Sequence, residues 1–470
     1  MFDNLLLLYA LIPIILIPGI LGSYLPAAHV VFPIRWWFGI LVIGLTVMIC
    51  HALETNPLLP FLLIALLLCP RFLHWFGSRA FEKLSSPKNF LARPSRAEAT
   101  AALVLLTMWF SAWLFVLTHP VDPYYADAVT IWYRKARNIF YWVPIREDGS
   151  ALKTYPHLGS VLQMYVMRWM GKEPLEGYGR LIYPSFFFMW IFSFRVLWHE
   201  RFEPWLHGLF VILALALFHL PHFTNGYQDG FLSMAVGISA LCFVKLFLED
   251  FVSKTAGQAG SQTSAWLFLA FFFAGSLCFI KLEGTTWAFI LLISAGMTCF
   301  LFQRAQLNKQ TIKQILPFLA LFSVLLILWP LLLRFNQVDL KKIQADAYST
   351  RDMLTWYKNM DRWQVIQPYY FAYWKKNLLL VLPGLFLSAL SYFLAPKSRK
   401  AIFFLWMVFL SHSLFVLLPF FATRLPLEWH IQNALSRLLF QQLFLYGTWI
   451  ALSVSSLAAL RAGQHSPSNK

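Results

Sequence analysis

About 13 stretches of this chain, each about 17 mostly apolar residues or longer, are long enough as helices to cross ~30 Å of hydrocarbon. They lie near 4–22, 36–53, 57–74, 99–118, 179–197, 205–222, 230–248, 265–280, 285–302, 315–333, 376–394, 402–421 and 437–460. In lipid every backbone N–H and C=O must be satisfied inside its own segment, so such stretches fold as helices. The reading is an all-α polytopic membrane protein. Composition supports it: 59% of the 470 residues are hydrophobic and 13% charged, against roughly 45–50% and about 25% in soluble domains. Length at ~150 residues per domain would suggest three soluble domains, but one bundle in a bilayer absorbs the whole chain.

The excess of Lys and Arg gives a net charge of +17, which in a membrane protein is first a topology signal. Between the third and fourth spans lie Arg71, Arg79, Lys83, Lys88, Arg93 and Arg96 against Glu82 and Glu98, so this segment is placed in the cytoplasm. Alternation then puts the short basic connections holding Arg304, Lys309 and Lys313, and Lys397, Arg399 and Lys400, on the same side. Membrane lipids and lipid-borne phosphates are the partners such charge suits. Nucleic acid is excluded as a partner, because no basic tail or soluble module is available to bind it. The five cysteines lack CxxC spacing and read as small core residues. No Lys or Arg precedes Arg35, so the first apolar stretch reads as an uncleaved span.

The same alternation leaves two long loops outside, 119–178 and 334–375, with short outer connections at 222–229, 281–284 and 422–436. From Asp127 the first loop reads as an amphipathic helix. Val129, Trp132, Tyr133, Ala136 and Phe140 are expected on a lipid-facing stripe, with Arg134, Lys135, Arg137 and Asn138 on the polar face. Asp127 is then either the N-cap of a plain anchor helix or a base beside cations that hold a lipid phosphate. The second loop interleaves Trp356, Tyr357, Trp363 and Trp374 with Lys341, Arg351, Lys358 and Arg362. That composition suits a lid near headgroups or an interfacial cap. Met164, Met167 and Met170 read as packing residues.

The run DAVTIWYRKA, Asp127 to Ala136, resembles the D-A-x-x-x-W-x-x-K-A signature of GT-C-fold glycosyltransferases, the clan of protein O-mannosyltransferases, aminoarabinose transferases and lipopolysaccharide galacturonosyltransferases. GYQDG at 226–230 resembles the clan's G-Y-x-D turn, KLEG at 281–284 its K-x-E-G turn, and LEWHIQNALSRLLFQ at 427–441 its C-terminal W-H…R-L-L segment. The resemblance covers roughly residues 99–445. One departure stands in LKTYPHLGS: Thr154 precedes Tyr155 and Pro156 where such proteins often carry an acid, and His157 follows, either a substitute ligand or a loop histidine.

The resemblance implies a GT-C-like bundle with interfacial helices in its two outer loops, in a bacterial inner membrane, its active site facing the periplasm or exterior. The segments expected are 1–98, N-terminal helices and basic cytoplasmic loop, which lie outside the resemblance; 99–333, the GT-C-like catalytic module; 334–460, the second outer loop and C-terminal helices; and 461–470, a polar cytoplasmic tail. A sugar carried on polyprenyl phosphate would pass to an acceptor glycan, lipid or protein. Inverting transfer needs a carboxylate base opposite the departing phosphate and cations to receive its charge. Asp127 is the first candidate base; Asp122 is a candidate helper or ligand of a divalent metal, or a Pro-turn residue. Lys135, Arg137, Lys281 and Arg437 are candidate phosphate ligands. Trp132, Tyr155, His157, Asp229, Glu283 and His430 complete the substrate-binding set, although Asp229 and Glu283 also fit helix caps or a Lys281–Glu283 contact. The rival class is a transporter or lipid-linked sugar flippase. Such proteins carry ionisable groups at mid-membrane depth and a repeated architecture, whereas here the polar clusters sit at one rim, with His412 the main exception.

Overall fold

The computed structural model describes residues 9–25, 30–77, 96–119, 128–147, 155–171, 173, 175–197, 228–250, 261–304, 309–338 and 355–464. Among them all regular structure is helical. Among the described residues eight helices are long and apolar enough to cross a membrane, or nine if the bent pair Trp356–Lys376 and Val381–Leu394 is one span, so the protein is a multi-pass membrane protein. The expected count of about 13 is not confirmed. Three more expected spans coincide with apolar helices whose described parts are shorter, Tyr9–Gly22, Leu59–Pro70 and Thr263–Phe279, and 205–222 lies outside the described residues. A π-helical turn lies within the first, at Ile12–Leu16, and a 3-10 turn, Leu277–Phe279, closes the third.

The chain packs as two compact units, Met1–Phe231 and Leu232–Lys470. The first holds α1 (Tyr9–Gly22), α2 (Phe32–Ala52), α3 (Leu59–Gly77), α4 (Arg96–Thr118), α5 (Arg134–Phe140), α6 (Leu158–Met170) and α7 (Glu176–Leu197). Its core is aromatic: Trp37 stacks on Phe186 at 5.0 Å between centroids, and Phe186 on Phe231 at 4.2 Å. At one rim the α2–α3 turn meets the segment after α5. His51 Nε2 lies 2.8 Å from Val143 O, Trp142 Nε1 donates to Thr55 O at 2.6 Å, and Arg146 pairs with Glu54 at 3.2 Å. Alternation places both segments on one side of the membrane, and this contact requires the same.

The boundary falls in the first turn of α8 (Gln228–Leu248). The second unit continues with α9 (Ser261–Ser276), α10 (Glu283–Gln303), α11 (Lys309–Phe335), α12 (Trp363–Lys376), α13 (Leu378–Leu394), α14 (Pro396–Ala422) and α15 (Leu443–Gln464). Asp250, after α8, accepts from Gln303 at the end of α10 and from Lys400 at the start of α14, each at 2.6 Å. Toward the opposite ends, Trp287 Nε1 donates to Gln441 Oε1 at 2.9 Å, Ser413 Oγ to Gln442 Oε1 at 3.2 Å, and Ser233 Oγ to Gln441 O at 2.9 Å. These two sets hold α8, α10, α14 and α15 in the up-and-down order that charge alternation predicts, with basic connections sharing one end. Of the second loop, the described part caps the C-terminal segment. Ile366 is buried against Phe420, Ile431 and Leu435, and Arg362 Nη1 donates to the carbonyls of Phe421 and Thr423 at 3.1 and 2.7 Å.

Candidate functional site

In the first unit, the candidate site forms around the start of α6. The segment leading into it opens as a π-helical turn, Ala128–Tyr133, and continues as α5. Its buried residues are Trp132, Lys135, Ala136, Ile139 and Phe140, the i, i+3, i+4, i+7, i+8 pattern of a core-facing helix. This corrects the expected lipid-facing stripe: Trp132 and Phe140 are 3% and 2% exposed, packed inside the protein rather than presented to lipid. It also splits the expected pair of phosphate-binding cations. Lys135 shares the inner stripe and is fully buried, whereas Arg137 is exposed on the opposite face. The physical reason is spacing, since Lys135 stands three residues after Trp132 and four before Ile139.

Lys135 Nζ donates to Tyr155 O at 3.1 Å and sits 5.4 Å over the Trp132 ring. Cation–π attraction and a charge-assisted bond thus fasten the 155–157 segment to the signature helix. The Trp132 and Tyr155 rings meet edge-on at 6.2 Å, and Ser160 Oγ donates to Trp132 O at 2.9 Å. His157, 2% exposed, occupies the N-cap position of α6 without making a side-chain capping bond.

Gly159, the second residue of the same helix, makes a close approach. A Cβ there would lie 1.6 Å from Gln228 Oε1. Gln228 and Gln163 each donate an amide hydrogen to the Tyr183 hydroxyl at 2.6 Å. Next to Gln228 stands Asp229, fully buried in the first turn of α8, where the helix N-terminus favours a carboxylate. The signature helix, the Tyr-Pro-His segment and the Gln-Asp turn therefore converge at one end of α6. Gln163, Ser160, Tyr183 and Gln228 were not singled out by sequence reasoning. Ser160 and Gln163 at i, i+3 in an otherwise methionine-rich stripe were the available signal.

In the second unit, Lys281 Nζ pairs with Glu283 Oε1 at 3.2 Å, with side-chain exposures of 4% and 29%. Gly284 fits only because it lacks a Cβ, which would meet Leu277 O at 1.9 Å. One turn further on, Trp287 bonds Gln441, itself one turn beyond Arg437, so the Lys-Leu-Glu-Gly turn and the C-terminal segment lie side by side. His430 is 6% exposed against Phe420, ring centroids 4.9 Å apart, while Trp429 is 56% exposed and Arg437 half-buried. His412 is buried and stacks on Trp287 at 3.8 Å.

Asp122, Asp127 and Thr154 lie outside the described residues. Among the described residues no group of three or more His, Cys, Asp and Glu side chains is placed to hold a metal ion. Comparison of the chain with known protein families, curated proteins and solved structures finds no match, so the reading of these two clusters rests on their residues.

Proposed function

We propose that this protein is a membrane glycosyltransferase that moves a sugar from a polyprenyl-phosphate donor to an acceptor hydroxyl at the extracytoplasmic face. The observation that carries the reading is the convergence at the start of α6. Three segments singled out in the sequence, with Trp132 and Lys135, Tyr155 and His157, and the Gln228–Asp229 turn, meet around one helix end. In the proposed reaction Asp127 takes the acceptor hydroxyl proton. The acceptor oxygen bonds the anomeric carbon as the carbon–oxygen bond to phosphate breaks, and that bond's electron pair leaves with the polyprenyl phosphate. Cations beside the leaving group stabilise its returning charge. Arg137, exposed on the outer face of α5, is the cation best placed to meet a phosphate arriving from the membrane. Lys135 holds the segment that frames the site.

The test is to incubate membranes containing the protein with radiolabelled polyprenyl-phosphate sugars and identify what gains label. Label moving to glycan, lipid or protein, and lost in Asp127→Asn, is the expected result. Label that crosses the bilayer while still lipid-linked would replace transfer with translocation. The sidedness has its own test, because single cysteines introduced near 150 and near 260 should react with an impermeant thiol reagent from opposite faces. Reaction from the same face would overturn the topology on which the reading stands.

A further inference from the structure

The far end of α6 carries a second polar feature, about 16 Å from His157 at 1.5 Å per residue. There a cavity of about 250 Å³ lies between the entry to α3 and the last turn of α6, lined by Pro57, Leu58, Phe61, Arg168 and Trp169. The Arg168 guanidinium lies 4.1 Å over the Phe140 ring and donates to the Phe140 carbonyl. Among the described residues no carboxylate pairs with it. A guanidinium has five N–H donors, so most remain for a ligand. The buried indole N–H of Trp169 finds no acceptor within the protein among the described residues, and such a group costs free energy unless something satisfies it.

The surroundings specify the rest of the ligand. Leu58 is 73% exposed at the cavity mouth, and Leu62 and Leu66 along the same helix are 56% and 58% exposed. That is the lipid-facing side of a helix entering the membrane at the rim where the α2–α3 turn meets the first outer loop. The geometry points to a binding site for a lipid with a net anionic phosphate headgroup. Arg168 and Trp169 take the phosphate oxygens, Phe61 and Leu58 enclose the glycerol end, and the acyl chains run down the leucines of α3. The cavity is too small for a whole lipid and suits a headgroup alone. This site stands apart from the transfer chemistry proposed above, and its occupancy would brace α6 from the end opposite Lys135.

The experiment uses the full chain in phosphatidylcholine nanodiscs doped with a photoactivatable phosphatidylglycerol, followed by mapping of the cross-linked peptides. Label is expected on residues 57–61 or 168–169, depleted by excess phosphatidylglycerol and unaffected by inorganic phosphate. Arg168→Gln should cut labelling about tenfold, the loss of a charge-assisted hydrogen bond. Because Arg168 also fastens α6 to Phe140, Trp169→Phe supplies an independent check: it keeps the ring, removes only the N–H, and should cut labelling about threefold. Equal labelling by a phosphatidylcholine probe, or unchanged labelling in both variants, would overturn the site. Competition by inorganic phosphate as strong as by the lipid would overturn the lipid assignment and leave a bare anion site. Since the readout is cross-linking, absence of sugar transfer bears on the proposed function and not on this inference.

Discussion

Two buried lysines, Lys135 within α5 and Lys281 just before α10, do different work. Lys135 bonds a backbone carbonyl twenty residues along the chain and rests on an indole; Lys281 bonds a carboxylate two residues away. The first contact ties separate segments together, so losing it alters the shape of a site. The second closes a local turn whose acid is still 29% exposed and can be hydrated when the lysine is gone. A lysine inside a motif is therefore not by itself a phosphate ligand; what its nitrogen touches decides its role. On this contrast the proposed chemistry is assigned to the first cluster, and Lys281 to the support of a local turn.

The largest expected effect tests that assignment directly. Asp127→Asn should lower turnover by about 10²–10⁴ as the loss of a general base, while the protein remains folded, because Asn caps a helix about as well as Asp. Glu283→Gln, which keeps the shape of the turn, should cost less than about tenfold. If the two losses are reversed in single-turnover assays of transfer, the base lies in the second cluster and the comparison inverts.

Next in size is the lysine pair itself. Lys135→Met should raise the donor concentration needed for half-maximal transfer by about 10–100-fold, the worth of a charge-assisted hydrogen bond. It should also speed protease cleavage next to Tyr155, whose carbonyl that bond holds. Lys281→Met should change thermal unfolding in detergent by about 1 kcal/mol or less and leave that cleavage unchanged. Equal protection in both variants would remove the tethering role from Lys135.

Smaller, and confined to stability, is the contrast between two tight glycines. At Gly284 an added methyl meets the Leu277 carbonyl, part of the backbone, whereas at Gly159 it meets the movable end of Gln228. Gly284→Ala should therefore cost about 3 kcal/mol. Gly159→Ala should cost about 1 kcal/mol, as Gln228 swings away from Tyr183 and forfeits one hydrogen bond. Chemical unfolding that ranks them the other way would mean that the Gln163–Tyr183–Gln228 network is stiffer than its side chains imply.

Much of the helical organisation was legible because lipid imposes a length on each apolar run. The helices that match best, Phe32–Ala52, Gln228–Leu248 and Glu283–Gln303, are uninterrupted apolar runs. π and 3-10 turns such as Ile12–Leu16 and Leu277–Phe279 are features that hydropathy does not register. Within the site, composition was read more readily than periodicity. Lys135 was grouped with its charged neighbours Arg134 and Arg137, although its spacing from Trp132 and Ile139 already put it on the inner stripe. Gln228 and Tyr183 escaped notice for a different reason, since an uncharged polar residue in an apolar run becomes conspicuous only when its partner, forty-five residues away, is brought to it.

The smallest effect concerns the cation left on the outside. Arg137 is exposed and its backbone carbonyl accepts from the N–H of Tyr141 at the end of α5, so removing its side chain disturbs no buried contact. If it meets the donor phosphate, Arg137→Lys keeps the charge but loses the bidentate fork, and donor affinity should fall a few-fold. Arg137→Ala should fall further, and both losses should shrink in high salt as exposed charges are screened. Lys135→Met, acting through a buried contact, should show no such salt dependence. Donor titrations at low and high ionic strength therefore separate an outer cation that attracts phosphate from an inner one that shapes the site, and a salt-independent defect in Arg137→Ala would return Arg137 to a purely structural part of α5.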